Sequence, residues 1–369
     1  RFANFSAFAL PMAAGGIDIE HWSVLSYVAR LEASARGLPG LPVRGLAGSS
    51  MADNDGVQTR DDGTVWVPAL APDLSFMHAP CADRFGNVLL SPPYGEGVYG
   101  ARAAREGVVV TAERLVEPEV IHRNAHLPGI PSSHVRSVSV VPFGAHPAGL
   151  AAGAIDGVEP YGDEVTFYRD EREAGRNDER WQSWVERWVT GPQDHDAYLG
   201  RLGSERLLWL KGKARADSWR AELLGALGRL DLDRPATRTE RLVLAAAALI
   251  AEKVEGSGHR TVLSGLGACN LAAWIAHGML ARREVPVSLV AELGMAGYVP
   301  RPCDPYLFNF RNLATCSLAA GAQTGLGLLV GGPQARCLGS LGAGQVDARG
   351  RFNSTRLADG TLLVGSGGA

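Results

Sequence analysis

Short runs of branched apolar residues, each ending at a glycine or a polar turn, alternate along this chain with segments of helical period. No other feature constrains the fold as much. In the first part the runs are TVWVPAL, DLSFMHA, NVLLS, GVVVTAE and RSVSVVPF, with a short helix, YGARAAREG, between the third and fourth. An amphipathic helix is expected over 19–36, stopped by Gly37. Strands that alternate with helices imply an α/β layer fold with parallel pairing. Glycine, at 46 residues, is about twice as frequent as usual. Tight turns at the carboxyl ends of strands use it in that way.

A second α/β unit opens at Thr237, where Thr237 and Glu240 have capping-box spacing before an apolar helix expected to reach Glu255 and stop at Gly256. Then follow a strand with a Gly loop (HRTVLSGLG), a helix (NLAAWIAHGMLARR) and a strand (VPVSLVAE). From about 170 to 210 the first unit becomes helical in pattern. Trp181, Trp184, Val185 and Trp188 form a stripe expected to be buried against the sheet. A chain of 369 residues has a prior of about two domains. The division expected is 1–212, a linker over 213–236, and 237–369. ADRFGNVLLS (82–91) and VDARGRFNST (346–355) echo each other, in keeping with two similar halves.

A net charge of −3 gives no support to nucleic-acid binding. No run of about 18 uncharged apolar residues exists, and LVLAAAALIA (242–251) is too short to span a bilayer. The five scattered cysteines show no C-x-x-C spacing, which fits reduced thiols in a cytoplasmic protein and offers no metal site. Two glycosylation sequons, at Asn4 and Asn353, read as chance, and the start at Arg1 leaves a removed targeting segment open.

No P-loop, zincin, nucleophile-elbow or kinase signature is present. SGLGACN (264–270) holds two glycines of a dinucleotide fingerprint, but Asn270 stands in place of the third. Gly265 and Gly267 can instead turn backbone N–H groups at a helix N-terminus toward a thioester oxygen or a phosphate. Glu292 ends the run VPVSLVAE, at the carboxyl end of a strand, where open α/β sheets place their ligands. Its carboxylate can act as a nucleophile or general base, with Gly294 and Gly297 leaving room for a substrate. The structural reading of the same residue is an ion pair with Arg282, Arg283 or Arg301. His146, in PFGAHP, is a second candidate or else a histidine bonded within its own turn. His78 and Trp22 read as packing residues. The closing VGSGGA (364–369) is a nest for an anion or carbonyl oxygen, or a flexible end.

In their order, several segments resemble the class I coenzyme A transferases of the glutaconate type, with α-like and β-like subunits fused. They are GGIDIEHWSVLSYVARLEASARGLPGLPVRGLAGSSM (15–51), PALAPDLSFMHAPCADRFGNV (68–88), IPSSHVRSVSVVPFGAHP (130–147) and RWQSWVERWVTGPQDHDAYLGRLG (180–203), then SGLGACNLAAWIA (264–276), VAELGMAGYVP (290–300), LGAGQVDARGRFNST (341–355) and GSGGA (365–369). The resemblance implies two similar α/β units with mainly parallel sheets and a site at their interface. It also implies that Glu292 attacks an acyl-CoA thioester and passes coenzyme A on through a glutamyl-CoA thioester. Loops at Gly265, Gly267, Gly294, Gly367 and Gly368 would lie near the CoA and the thioester oxygen, their amides stabilising the oxyanion, with His146 and Glu20 as pocket residues. Ala291 departs from the family's Phe, and Leu293 and Met295 from its Ala and Gly, so the diacid specificity does not carry over. A related hydrolase opens a steroid-derived ring on a CoA thioester; its carboxylate aligns near Val24, with Glu20 close by. The chain looks clipped at both ends relative to the family.

The expected function is therefore transfer of coenzyme A from an acyl-CoA to a carboxylic acid. The alternatives are a CoA-thioester or ring-opening C–C hydrolase and a non-catalytic acyl-CoA-binding relative. The thioester is a substrate, with no tightly bound cofactor or metal, and the protein is expected to be a cytoplasmic homo-oligomer without nucleic-acid or membrane partners.

Overall fold

The computed structural model describes residues 20–152, 155–302, 306–355, 357–359 and 363. Helix α1 (Val24–Ala35) begins later than its apolar pattern, because the Ser23 hydroxyl caps it by accepting from the N–H of Ser26 at 3.2 Å. Gly37, at φ +68°, follows its end. A small antiparallel sheet of β1 (Gly40–Val43), β2 (Gln58–Thr59) and β3 (Val65–Pro68) packs against it through Ala29, Val43, Val65 and Val67.

The next residues build a five-stranded sheet from β4 (Ser75–Asp83), β5 (Val88–Leu89), β6 (Val108–Val116), β7 (Gly129–Ile130) and β8 (Val135–Val140), in the order β7-β5-β4-β6-β8. β4, β6 and β8 are parallel, while β5 and β7 join antiparallel at one edge. Helix α2 (Gly97–Ala103) lies in the crossover from β4 to β6, and its Ala101 packs with Ala79, Val110 and Ala112 on one face of the sheet. Cys81 and Leu89 face the other side, against Ala152, Ile155 and Val158. β4 and β6 are largely covered, while the edge strand β8 is mostly exposed. A short helix, α3 (Pro118–Arg123), follows β6.

Four helices follow: α4 (Val165–Ala174), α5 (Asp178–Val185), α6 (His195–Leu202) and α7 (Ser204–Lys213). The tryptophan stripe is half-buried against these helices rather than against a sheet. Trp184 and Trp188 meet Phe167 of α4 edge-on at 5.5 and 5.0 Å, and Trp181 stacks on Trp184. The expected linker is not bare chain. It carries α8 (Trp219–Leu227), whose Glu222 holds the buried guanidinium of Arg311 at 3.0 and 2.5 Å.

Helix α9 (Arg238–Ser257) starts with the complete Thr237/Glu240 capping box and runs two residues past the expected stop, to a left-handed Gly258. A second five-stranded sheet contains β9 (Thr261–Ser264), β10 (Ser288–Ala291), β11 (Met295–Ala296), β12 (Leu318–Ala319) and β13 (Cys337–Ser340), in the order β12-β11-β10-β9-β13. It repeats the plan of the first, with three parallel strands and two antiparallel strands at one edge. Helix α10 (Ala268–Arg282) crosses from β9 to β10. Together α9 and α10 cover one face, where Val262, Leu289 and Ala291 lie. Side chains alternate across a strand, so Leu263 and Val290 face the opposite side. There they meet Leu326 and, from the first unit, Val24 and Leu25 of α1.

The echo between the two halves is a repeated turn. In the β4–β5 hairpin, Asp83 Oδ1 accepts from the N–H groups of Phe85 and Asn87, both at 2.9 Å. In the hairpin of β14 (Gln345–Val346) and β15 (Phe352–Asn353), Asp347 Oδ1 accepts from Arg349 and Arg351 at 2.9 and 2.8 Å. Gly86 and Gly350 hold the same left-handed position in each, at φ +89° and +76°.

Candidate active site

Glu292 follows the last residue of β10, a parallel strand whose register pairs Leu263 with Val290. The Ser264–Gly265 end of β9 therefore stands beside Ala291–Glu292 at the carboxyl edge of the sheet. Ala291 pairs across the hairpin with Met295, so Glu292, Leu293 and Gly294 form a three-residue loop closed by Gly294 N–H to Ala291 O at 3.0 Å. The positive φ of Gly294, +98°, completes that turn.

The Glu292 side chain is half-buried. Burial pushes its carboxyl above the ordinary glutamate value, since a charge is poorly solvated there. The alternative ion pairs are not formed: Arg283 bonds to Glu255, and the Arg301 guanidinium lies over the ring of Trp219 at 5.7 Å. Among the described residues no hydrogen bond or ion pair holds the Glu292 carboxylate.

The turn sits where the two units meet. Gly95 of the first unit donates its N–H to Leu293 O at 3.3 Å and accepts from Ala322 N–H at 3.1 Å. Nearby, Gln323 donates its side-chain amide to Glu32 Oε2 of α1 at 2.5 Å. A π-helix over Gln323–Val330 follows, and its Gly325 lies so close to the turn that a Cβ there would stand 3.2 Å from the Gly294 backbone.

The glycines expected to clear space do something else. A Cβ on Gly294 would stand 2.2 Å from Ala320 O, and one on Gly297 would stand 1.8 Å from Ser317 Oγ. The chain already fills the space beside both, so these glycines permit close packing rather than admit a ligand. The N–H of Gly265 is taken by Ser340 O at 2.9 Å in the β9–β13 ladder and is not free for an oxyanion. Gly267 is the N-cap of α10, at φ +86°, with open space around its Cα. Gly367 and Gly368 lie outside the described residues.

His146 is not part of this site. Its buried ring bonds Tyr198 Oη at 2.6 Å and Glu164 Oε2 at 2.8 Å, fastening α4 and α6 to the first unit rather than bonding within its own turn. Glu20 pairs with Arg30 at 3.2 Å, and that guanidinium lies over Trp22 at 4.1 Å. Val24, the alignment position of the hydrolase carboxylate, is packed in the apolar cluster with Val290. His78 is satisfied by Thr111 and Glu113. A depression beside it is lined by Glu113, Arg114, Glu159, Tyr161 and Lys211, whose charged groups all have partners within the fold. Sequence reasoning missed Gly95. Its only local sign is the turn-rich SPPYGEG (91–97), which gives no hint of a contact some two hundred residues away.

Comparison with known proteins agrees with this architecture. A family model described as coenzyme A transferase matches residues 6–137. One of the subunits of glutaconate CoA-transferase from Acidaminococcus fermentans is 29% identical over 220 residues, which is 54% of this chain and 66% of that protein. A cholesterol ring-cleaving hydrolase IpdA subunit from Rhodococcus jostii is 28% identical over 54% of this chain and 70% of that one. The structure of an acyl-CoA transferase from E. coli O157:H7, in a thioester complex with CoA, has the same fold over 98% of this chain and 56% of its own, with a TM-score of 0.55 at 16% identity. The chain thus spans just under two thirds of the glutaconate enzyme's matching polypeptide and little more than half of the E. coli enzyme, and Glu292 lies beyond the stretch matched by the family model. Residues 6–137, about a third of the chain, thus match the coenzyme A transferase family model, and the chain as a whole has the fold of the E. coli acyl-CoA transferase.

Proposed function

We propose that this protein transfers coenzyme A from an acyl-CoA to a carboxylic acid, with Glu292 as the covalent carrier. The supporting observation is the half-buried carboxylate at the carboxyl end of a parallel strand, with no hydrogen-bond or ion-pair partner among the described residues, on a turn where the two units meet. The Glu292 carboxylate would attack the thioester carbonyl, releasing CoA thiolate and forming an acyl-glutamyl anhydride. The thiolate would then attack the glutamyl carbonyl, expelling the donor carboxylate and leaving a glutamyl-CoA thioester. An acceptor carboxylate would repeat the two steps in reverse, regenerating Glu292. Anhydride and thioester are close in energy, so activation is kept throughout. Burial supports this chemistry, because a poorly solvated carboxylate is a stronger nucleophile once ionised.

Hydrolysis is the second reading, favoured by the likeness to the ring-cleaving hydrolase and by a carboxyl raised toward the range of a general base. Incubation with acetyl-, succinyl- and glutaconyl-CoA, followed by borohydride and mass spectrometry of the Glu292 peptide, separates the two. Reduction of Glu292 to the alcohol, absent in Glu292→Gln, supports the glutamyl-CoA intermediate. CoA release with unmodified Glu292 discards it in favour of hydrolysis. Affinity for the thioesters with neither outcome points to a binding protein.

A further inference from the structure

The turn carrying Glu292 is held from outside its own unit. Gly95 ties it to the segment after β12, with its N–H on Leu293 O of the turn at 3.3 Å and its C=O taking the N–H of Ala322 at 3.1 Å. Gly95 and Gly321 form an isolated parallel bridge, so the first unit adds one residue of strand beside the Glu292 turn. The φ of Gly95 is +50°, in the left-handed region, yet the space at its Cα is not crowded: a Cβ would meet only Leu293 Cδ2, at 3.6 Å. Gly95 is therefore required for its backbone conformation and not for lack of room. From the other side, the Glu32–Gln323 hydrogen bond anchors the start of the π-helix whose Gly325 packs on Gly294.

We propose that Gly95 is a positioning residue for Glu292, its peptide groups fixing the turn from the first unit so that the carboxylate is aligned only when the two units are docked. This rests on the reading of Glu292 as the covalent carrier. A backbone clamp of this kind acts through orientation, to which attack geometry is far more sensitive than substrate binding is.

The test compares Gly95→Ala with Gly95→Asn in the full chain. Alanine disfavours φ near +50°, whereas asparagine tolerates it. In Gly95→Ala, kcat for acceptor-dependent CoA exchange should fall ten-fold or more, with the acyl-CoA KM within about two-fold of wild type and the Tm close to it. Gly95→Asn should recover most of the rate. Equal losses in both variants, or a loss that follows the unfolded fraction, would overturn the proposal. A second readout needs no turnover: the carboxyl of 13C-labelled Glu292, assigned with Glu292→Gln, is titrated without substrate. Its titration should shift toward that of ordinary glutamate in Gly95→Ala, as the turn opens to water, and return in Gly95→Asn. An unchanged titration in both variants overturns the positioning role. A shift in a protein that catalyses no transfer keeps that role and removes Glu292 as the carrier.

Discussion

A Cβ placed on Gly294 would stand 2.2 Å from the carbonyl oxygen of Ala320, and the amide of Ala320 in turn bonds Gly294 O at 2.8 Å. The Glu292 turn is thus packed backbone to backbone against the residues that follow β12. Gly294→Ala would need both a strained φ and a displaced backbone, at a cost of about 3 kcal/mol or more. Urea titration should show that loss. A variant of wild-type stability with altered acyl-chain preference would mean that Gly294 lines a substrate pocket after all.

The residues joining the units are docked by Arg311, which is 2% exposed and bonds Glu222 twice and Ser218 Oγ at 3.0 Å. Removing Glu222 leaves a buried guanidinium with half its partners. Breaking a fully buried pair costs about 3–5 kcal/mol; Glu222 is partly in water, so Glu222→Ala should cost about 2 kcal/mol. Amide hydrogen exchange in α8 should accelerate selectively. Unchanged exchange there would show that α8 is held by something other than this pair.

Asp83 and Asp347 make the same turn in different surroundings, the first 1% exposed and the second at the surface. Asp83 also accepts from the Asn87 side chain at 2.8 Å. Asp83→Ala would remove the buried acceptor of three part-buried hydrogen bonds, for a loss of about 2–3 kcal/mol. Water can replace Asp347, so Asp347→Ala should destabilise far less. Equal losses on thermal melting would contradict the burial argument.

The elements that the sequence made legible are those whose signals are local. Short apolar runs ending at glycine or polar turns marked β4, β6, β9 and β10, and the Thr237/Glu240 box marked the start of α9. Glu292 stood out because a lone carboxylate ends an apolar strand, where open α/β sheets place their ligands. What stayed hidden depends on contacts between distant residues. Nothing near Gly294 or Gly297 announces Ala320 or Ser317. Nothing near Glu222 announces Arg311, so a docked helix read as a linker. His146 sits in a turn with an obvious local partner, yet Tyr198 and Glu164, contributed by later elements, take both of its ring nitrogens.

Glu292 itself supplies the last prediction, through pH. Burial raises its carboxyl above the usual 4.5. Between 4.5 and the raised value the folded protein keeps a proton that the unfolded chain has released. Folding stability therefore falls as pH rises through that window and stays lower above it. Glutamine never ionises, so Glu292→Gln should be more stable than wild type near neutral pH, with the advantage fading as both are taken below the usual value. Denaturant titrations across that range measure the difference directly. The same ionisation governs the chemistry, because only the carboxylate is a nucleophile. The acid limb of kcat/KM should accordingly lie above the pH at which an exposed glutamate titrates. A Glu292→Gln variant less stable than wild type near neutral pH would mean that the charge is compensated in solution. An acid limb at the ordinary value would indicate the same, and the site would lose the desolvation on which its nucleophile depends.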